Sequence, residues 1–406
     1  MRPFERHELT GVHVWDGERG LGPCDLSWSG DRIESVTSAD DQWPELCVIP
    51  GLVDTHVHLA GRASIAEAPR PDDTLVWPLV TTREEQVLHA AANAQRAMRH
   101  GVTTLRDLAA DEVQIAVQRA FDAEIMLGPR VLASGPVGMT AGHHDLFVPP
   151  AHPVRSRTAD GPDECRKLVR TWARAGLTGI KIFTSGGVLS TGDKVGWRNH
   201  TSEEIRSTID EAHALGMLVA AHAHSPEGIQ VAMDEGVDSI EHATEMTDTQ
   251  VATLAEYGTP VAPTLLINDL IAQGSVPVAA ESQEKAERLV VSRDTRFRAA
   301  AQAGVRFVLG TDASGYFLAF GDQMAEAVRM ANVISLDAER TLRAATSDAA
   351  ASLGLSQETG RISPGLSADF VILRGRPWER IDDLSTANIV AVVCRGRLAA
   401  GNLPHT

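Results

Sequence analysis

The feature that most constrains this 406-residue chain is an alternation that runs through its middle. From residue 48 to about residue 355, short apolar runs exchange with longer segments of helical period. The apolar runs are 51–56, 102–106, 130–133, 179–183, 218–222, 239–242, 260–263 and 305–310. Between them, 84–99, 112–121, 162–175, 202–215, 226–235, 248–256 and 281–303 read as helices. The segment 202–215 shows why: Ile205, Ile209, Ala212 and Leu215 share one face, and Thr201 with Glu204 is a capping pair. Strand–helix units in series build a parallel sheet, and eight is the number that closes into a barrel. The chain is therefore predicted to be an α/β protein with a (β/α)8 TIM barrel.

Both ends differ from this middle. Residues 10–15, 24–29 and 32–37 read as strands, separated by turn signals at Asp16-Gly17 and Gly30-Asp31. So do 369–373 and 389–394. These runs predict a small β-sandwich formed by both termini. The expected division is residues 1–48 and 356–406 for this composite domain and 49–355 for the barrel. Two connections, 59–82 and 136–161, are long and rich in Pro and Gly. Long loops in a compact domain are usually functional, and a barrel gathers its strand-to-helix loops at the carboxyl end, where barrel active sites lie.

Composition narrows the partners. With 37 Lys and Arg against 54 Asp and Glu, the net charge is −17, which is unsuited to a phosphate backbone, so nucleic acid is excluded. No uncharged apolar run reaches membrane-spanning length. Residues 1–10 are charged, with no apolar segment behind them, and do not read as a signal peptide. Cys24, Cys47, Cys165 and Cys394 are scattered and form no CxxC pair, which fits the thiols of a cytoplasmic protein. The expected partner is a small-molecule substrate, with a homo-oligomer left open.

The chemistry lies where the apolar runs end. The first closes in Asp54-Thr55-His56-Val57-His58, and the fourth carries Lys181. The fifth ends in His222-Ala223-His224, the sixth in Glu241-His242 and the eighth in Thr311-Asp312. Alternate strand residues share a face, so His56 and His58 point the same way. One HxH pair in a chain with 15 histidines is weak evidence. Histidines, a lysine and an aspartate at the ends of separate strands form a much stronger pattern, because in a barrel they converge. Such a donor set suits zinc or a similar divalent ion. The competing reading is a group of ordinary core histidines, which is costly where several would be buried together.

These residues, with Val48-Ile49-Pro50-Gly51-Leu52-Val53, Gly101-Val102-Thr103-Thr104, Lys181-Ile182-Phe183-Thr184-Ser185-Gly186-Gly187-Val188 and Gly310-Thr311-Asp312-Ala313, resemble the amidohydrolase superfamily. The likeness is to its binuclear prolidase-like and carboxypeptidase-like branch. The resemblance implies two divalent metal ions, zinc by preference, with His56, His58 and Asp312 on the first and His222 and His242 on the second. It also implies Lys181 as a bridging carbamate made with carbon dioxide. An ammonium has no lone pair to offer a cation, whereas a carbamate is a two-oxygen anion. The implied activity is hydrolysis of an amide-type C–N bond (amide, carbamate or peptide) by a metal-bridging hydroxide. Asp312 would shuttle the proton and His143 would stabilise the oxyanion.

Further candidates surround the substrate. His144, beside His143, and His224, two residues after His222, could line the pocket. His200 stands where prolidase-like members carry a Tyr that anchors the substrate carboxylate, which favours a substrate without one; Arg198 or His200 could still bind an anion. Trp77, Trp197, Tyr316 and Phe317 are candidates for an aromatic wall. The alternatives are an Xaa-Pro-type dipeptidase or carboxypeptidase, a mononuclear deaminase or imidazolone hydrolase on the same fold, and a catalytically dead barrel used for binding.

Overall fold

The computed structural model describes residues 6–63, 73–153, 155–315 and 317–404. Its first four strands are β1 (Arg6–Trp15), β2 (Gly20–Ser29), β3 (Arg32–Ser38) and β4 (Trp43–Pro50). The barrel follows with β5 (Leu52–Val57), β6 (Val102–Asp107), β7 (Arg130–Val137), β8 (Gly179–Phe183), β9 (Leu218–Ala223), β10 (Ser239–His242) and β11 (Val261–Ala262). The chain ends in β12 (Phe370–Arg374), β13 (Ile389–Cys394) and β14 (Arg397–Gly401). The terminal strands form one seven-stranded sheet in the order β14-β13-β12-β4-β1-β2-β3.

That sheet has two apolar faces, and the period of two shows it. Val48, Phe370, Ile372, Ala391 and Val393 join one core with Val12, Val14, Leu26 and Trp28. Their neighbours Cys47, Ile49, Val371, Leu373 and Val392 point the other way, into the core of the barrel. Trp28 on β2 meets Phe370 on β12 edge-on, 5.0 Å between ring centres, although β1 and β4 lie between their strands in the sheet order. The sheet therefore curls over its own core, as a sandwich does. Arg130, at the start of β7, ties it to the barrel through Asp369 and Glu358, each at 3.2 Å.

The barrel strands run parallel in chain order from β5 to β11. The expected eighth strand, 305–310, is not a regular one, but the chain there still spans the two edges. Val261 N–H donates to the Arg306 carbonyl (2.9 Å) and Val308 N–H to that of Val261 (3.0 Å). On the other side, Thr55 N–H donates to Leu309 (2.9 Å), His58 N–H to Ala313 (2.8 Å) and Asp312 N–H to His56 (2.7 Å). The segment turns away from strand geometry at Asp312, whose φ is +59°.

The helices are α1 (Asp73–Val80), α2 (Arg83–Arg99), α3 (Glu112–Asp122), α4 (Pro162–Ala175), α5 (Ser202–Ala214), α6 (Pro226–Asp234), α7 (Asp248–Tyr257), α8 (Leu265–Ala272), α9 (Ala280–Gln302), α10 (Gln323–Met330), α11 (Ala338–Ala345) and α12 (Ser347–Ser352). The predicted capping pair of α5 is present, Thr201 and Glu204 each accepting from the other's backbone N–H. None of the described helices is long and apolar enough to cross a membrane.

Helix α8 was not legible from sequence, and the reason is physical. It has no side-chain cap of its own: Thr264 precedes it with φ +46° and makes no capping bond. The cap comes from α10, where the fully buried Glu326 accepts from Leu265 N–H (2.7 Å) and Leu266 N–H (2.8 Å). Two acceptor oxygens satisfy two orphan donors, one each. Glu326→Gln turns one acceptor into a donor facing an N–H. It is expected to lower the unfolding free energy by about 1–3 kcal/mol, the cost of a buried unsatisfied group, read from urea denaturation.

Candidate metal centre and active-site cavity

The carboxyl ends of the barrel strands carry the polar residues picked out above, at the floor of a cavity of about 350 Å³. His56, His58, His143, His144, Lys181, His222, His224, His242 and Asp312 all line it. The strand register explains most of this: His56, Lys181, His222 and His242 lie on their strands, His58 and His224 stand just beyond, and His143 and His144 come from the loop after β7.

Two clusters offer converging ligand atoms. His222, His224 and His242 form one, and His56, His242 and Asp312 the other. His58 joins the second through Asp312, with 3.0 Å from its Nε2 to Oδ1. His224, expected as pocket wall or support, thus stands among the potential donors. Its ring stacks on His242 at 4.5 Å between centres.

Nearly every imidazole is tethered by one ring nitrogen, leaving the other for the cavity. His242 Nδ1 pairs with Thr264 Oγ1 (2.7 Å), His224 Nδ1 with Thr244 Oγ1 (2.9 Å) and His222 Nε2 with the Gly186 carbonyl (3.2 Å). His143 Nδ1 pairs with Ser190 Oγ at 2.7 Å. Behind His56 stands a buried carboxylate, Glu241, with Oε2 2.9 Å from Nδ1. Glu241 is itself held by Arg106 at 2.8 Å and Ser239 at 2.7 Å. Sequence reasoning passed over Glu241 and Arg106, although Glu241 sits next to His242 and a buried acid on an apolar strand calls for a partner.

The electrostatics follow from burial and proximity. Burial, then the nearby Lys181, pushes His56 down to about 4, and burial takes His144 to about 4 and His224 to about 3. His143, His222 and His242 lie well below the ordinary histidine value for the same first reason. Burial would raise Asp312, but His56 and His58 outweigh it and hold the carboxyl at about 2. Burial likewise opposes Glu241, and Arg106 and His56 hold it at about 2. His58 is the exception: burial would lower it, but the hydrogen bond and charge of Asp312 outweigh burial and raise it above the ordinary histidine value. The other imidazoles are held neutral beside ionised carboxylates, and neutral imidazoles with carboxylates suit a divalent cation. Lys181 is 2% exposed, its Nζ has no hydrogen-bond partner among the described residues, and burial pushes it down to about 8.

Other expected substrate residues lie elsewhere. The side chain of His200 is buried against the Ala159 carbonyl (3.1 Å) and does not line the cavity. The strand-like bridge of Ser185 to Arg198 carries Trp197 and Arg198 to the outside, where both are exposed. Trp77 packs edge-on against His89 rather than on the cavity. Tyr316 lies outside the described residues. The aromatic wall is made instead by Phe147, Phe183 and Phe317, of which only Phe317 was expected. His144 stacks on Phe183 at 5.3 Å.

Comparison with known proteins agrees with this geometry. The Amidohydrolase family pattern matches residues 47–399. Ochratoxinase of Aspergillus niger is 30% identical over 370 residues, covering 86% of this chain and 74% of that protein. The crystal structure of ochratoxinase superposes with a TM-score of 0.85 at 25% identity, over 98% of this chain and 96% of that one. A Xaa-Pro dipeptidase structure with methionine in its active site gives 0.86 at 28%, over 97% and 99%. The chain belongs to the amidohydrolase family and is a hydrolase acting on carbon–nitrogen bonds.

Proposed function

We propose that this hydrolase cleaves an uncharged, largely apolar amide or carbamate with the help of two divalent metal ions, zinc being the ion best matched to the imidazole-rich donors. His56, His58 and Asp312 would hold one ion and His222 and His242 the other, with Lys181 between them as a carbamate. The observation that carries this reading is the buried Lys181 amine, without a hydrogen-bond partner among the described residues and set amid imidazoles and ionised carboxylates. A carbamate forms when a neutral amine attacks the carbon of carbon dioxide and loses a proton, and burial of Lys181 favours that free base.

When bound, such a pair of ions lowers the pKa of water from about 15.7 toward about 7 and polarises the scissile carbonyl. The chain supplies the rest. Ionised Asp312 can accept a proton at a carboxylate oxygen and return it to the departing nitrogen, which leaves poorly until protonated. His143 lines the same cavity, its ring stacked on His222, within reach of a substrate held there. Phe147, Phe317, Ile267 and Ile271 close the cavity over an apolar substituent and shed water from it.

The substrate class rests on charge. Apart from Lys181, Arg83 is the one lysine or arginine among the described lining residues, and it is engaged by Asp111 at 2.5 Å and Glu112 at 3.7 Å. A free carboxylate needs strong, unspent donors. The division into a barrel, 49–355, and a composite domain, 1–48 with 356–406, is part of this reading, supported by the separate core of the terminal strands. So is a cytoplasmic setting, supported by four free, buried thiols.

Two measurements test the reading. Asp312→Asn keeps the shape and removes the base, and kcat is expected to fall by at least about 100-fold. Full kcat in that variant would show that protons travel by another route. For substrate class, kcat/KM is compared between an aryl amide and its analogue with a free α-carboxylate. The neutral compound is expected to be cleaved better. A tenfold preference for the carboxylated one, about 1.4 kcal/mol in transition-state binding, would instead support a dipeptidase-like activity.

A further inference from the structure

His143 is held on every side. Its ring stacks on His222 at 4.4 Å between centres, and its backbone N–H donates to Asn199 Oδ1 at 2.7 Å. On another side the ring is seated on Gly187, so closely that a Cβ there would fall 2.0 Å from His143 Cε1. Its Nδ1 meets Ser190 Oγ at 2.7 Å. Ser190 Oγ lies 2.8 Å from each carboxylate oxygen of Asp193. Asp193 in turn accepts from Lys285 Nζ at 2.7 Å. Lys285 completes its three bonds with the Ser190 carbonyl (2.8 Å) and Glu281 (2.9 Å). Ser190, Asp193 and Lys285 are all buried, at 1%, 5% and 2% exposure. None of them lines the cavity.

The proton count along this chain has one solution. Lys285 can only donate, so Asp193 is the acceptor and stays ionised beside it. A carboxylate flanked by an ammonium takes the single hydroxyl proton of Ser190. The Ser190 oxygen is then left with lone pairs toward His143, so Nδ1 must carry the hydrogen. We infer that Ser190, Asp193 and Lys285 are positioning residues that fix His143 as its Nδ1–H tautomer, with the Nε2 lone pair presented to the substrate. The relay begins on α9, outside the barrel wall, and ends at the reacting group.

This deepens the proposed function, since it rests on the cavity being the substrate site. The role expected for His143, donation to an oxyanion, requires hydrogen on Nε2. The relay assigns the neutral ring the opposite sense: Nε2 accepts from a donor on the substrate, such as the N–H of a secondary amide or carbamate.

The test is nitrogen-15 NMR of protein labelled in its histidine rings and loaded with zinc, with the chelated protein as a second sample. The His143 signals are identified by their loss in His143→Gln. In the wild type, Nδ1 is expected at the shift of a protonated ring nitrogen and Nε2 at that of an unprotonated one. In Asp193→Asn the new amide can donate to Ser190 Oγ, the hydroxyl turns to Nδ1, and the two His143 signals are expected to exchange character. An Nε2–H pattern in the wild type overturns the inference, and so does an unchanged pattern in a folded Asp193→Asn. Should that variant fail to fold, the wild-type spectrum decides alone. Because the readout needs no turnover, it stands or falls separately from the amide-hydrolase reading.

Discussion

The structure is organised around a buried amine that none of the described residues satisfies. Lys181, in the middle of β8, lines the cavity with its Nζ lacking a hydrogen-bond partner among the described residues, and imidazoles line the same cavity. An unpaired ammonium in such a place is expensive, and so is an unpaired imidazolium. The protein answers by keeping all but one of the cavity's rings neutral, His58 being raised by Asp312, and by placing the compensating charge on Asp312 and Glu241. The tethers seen on His56, His143, His222, His224 and His242 then fix which ring nitrogen faces inward.

Holding those residues costs backbone strain, and the scaffold shows where it is absorbed. His242, Ala243, Thr264 and Asp312 all have positive φ, a conformation that costs a non-glycine residue about 1–3 kcal/mol. Each lies where a barrel strand or its extension ends and the chain must turn; His242 and Asp312 face the cavity, and Thr264 holds His242 from behind. Asp54 offsets part of this by binding both sides of the closure. It accepts from His56 N–H at 3.2 Å and from Thr311 through N–H (3.1 Å) and hydroxyl (2.6 Å). Glu326 does the same for Thr264, since capping α8 fixes the residue whose hydroxyl holds His242.

Much of this was legible in the sequence because it is written in local periods. The alternation of strands and helices, the capping pair at Thr201, and the polar residues closing each strand are short-range patterns. They located His56, His58, Lys181, His222, His242 and Asp312 at one end of the barrel. What escaped depends on contacts between distant segments. The cap of α8 comes from 60 or so residues away, and nothing local marks Lys285, whose partner Asp193 lies on the loop that follows β8. The substrate side was legible only in part, for a related reason: His144, His224 and Phe317 line the cavity, and other expected residues do not. Trp197, Arg198 and His200 lie in a loop where strand alternation gives no rule for direction, and their side chains turn outward or into the protein.

The central claim, that Lys181 completes a two-metal site, is tested most directly by counting metal. The protein is purified in the presence of bicarbonate and zinc, and metal per chain is measured for wild type and Lys181→Ala, with folding checked by circular dichroism. The account predicts two ions per chain in the wild type and a clear loss in a folded Lys181→Ala. Two ions retained by that variant, or a single ion in the wild type, would contradict it.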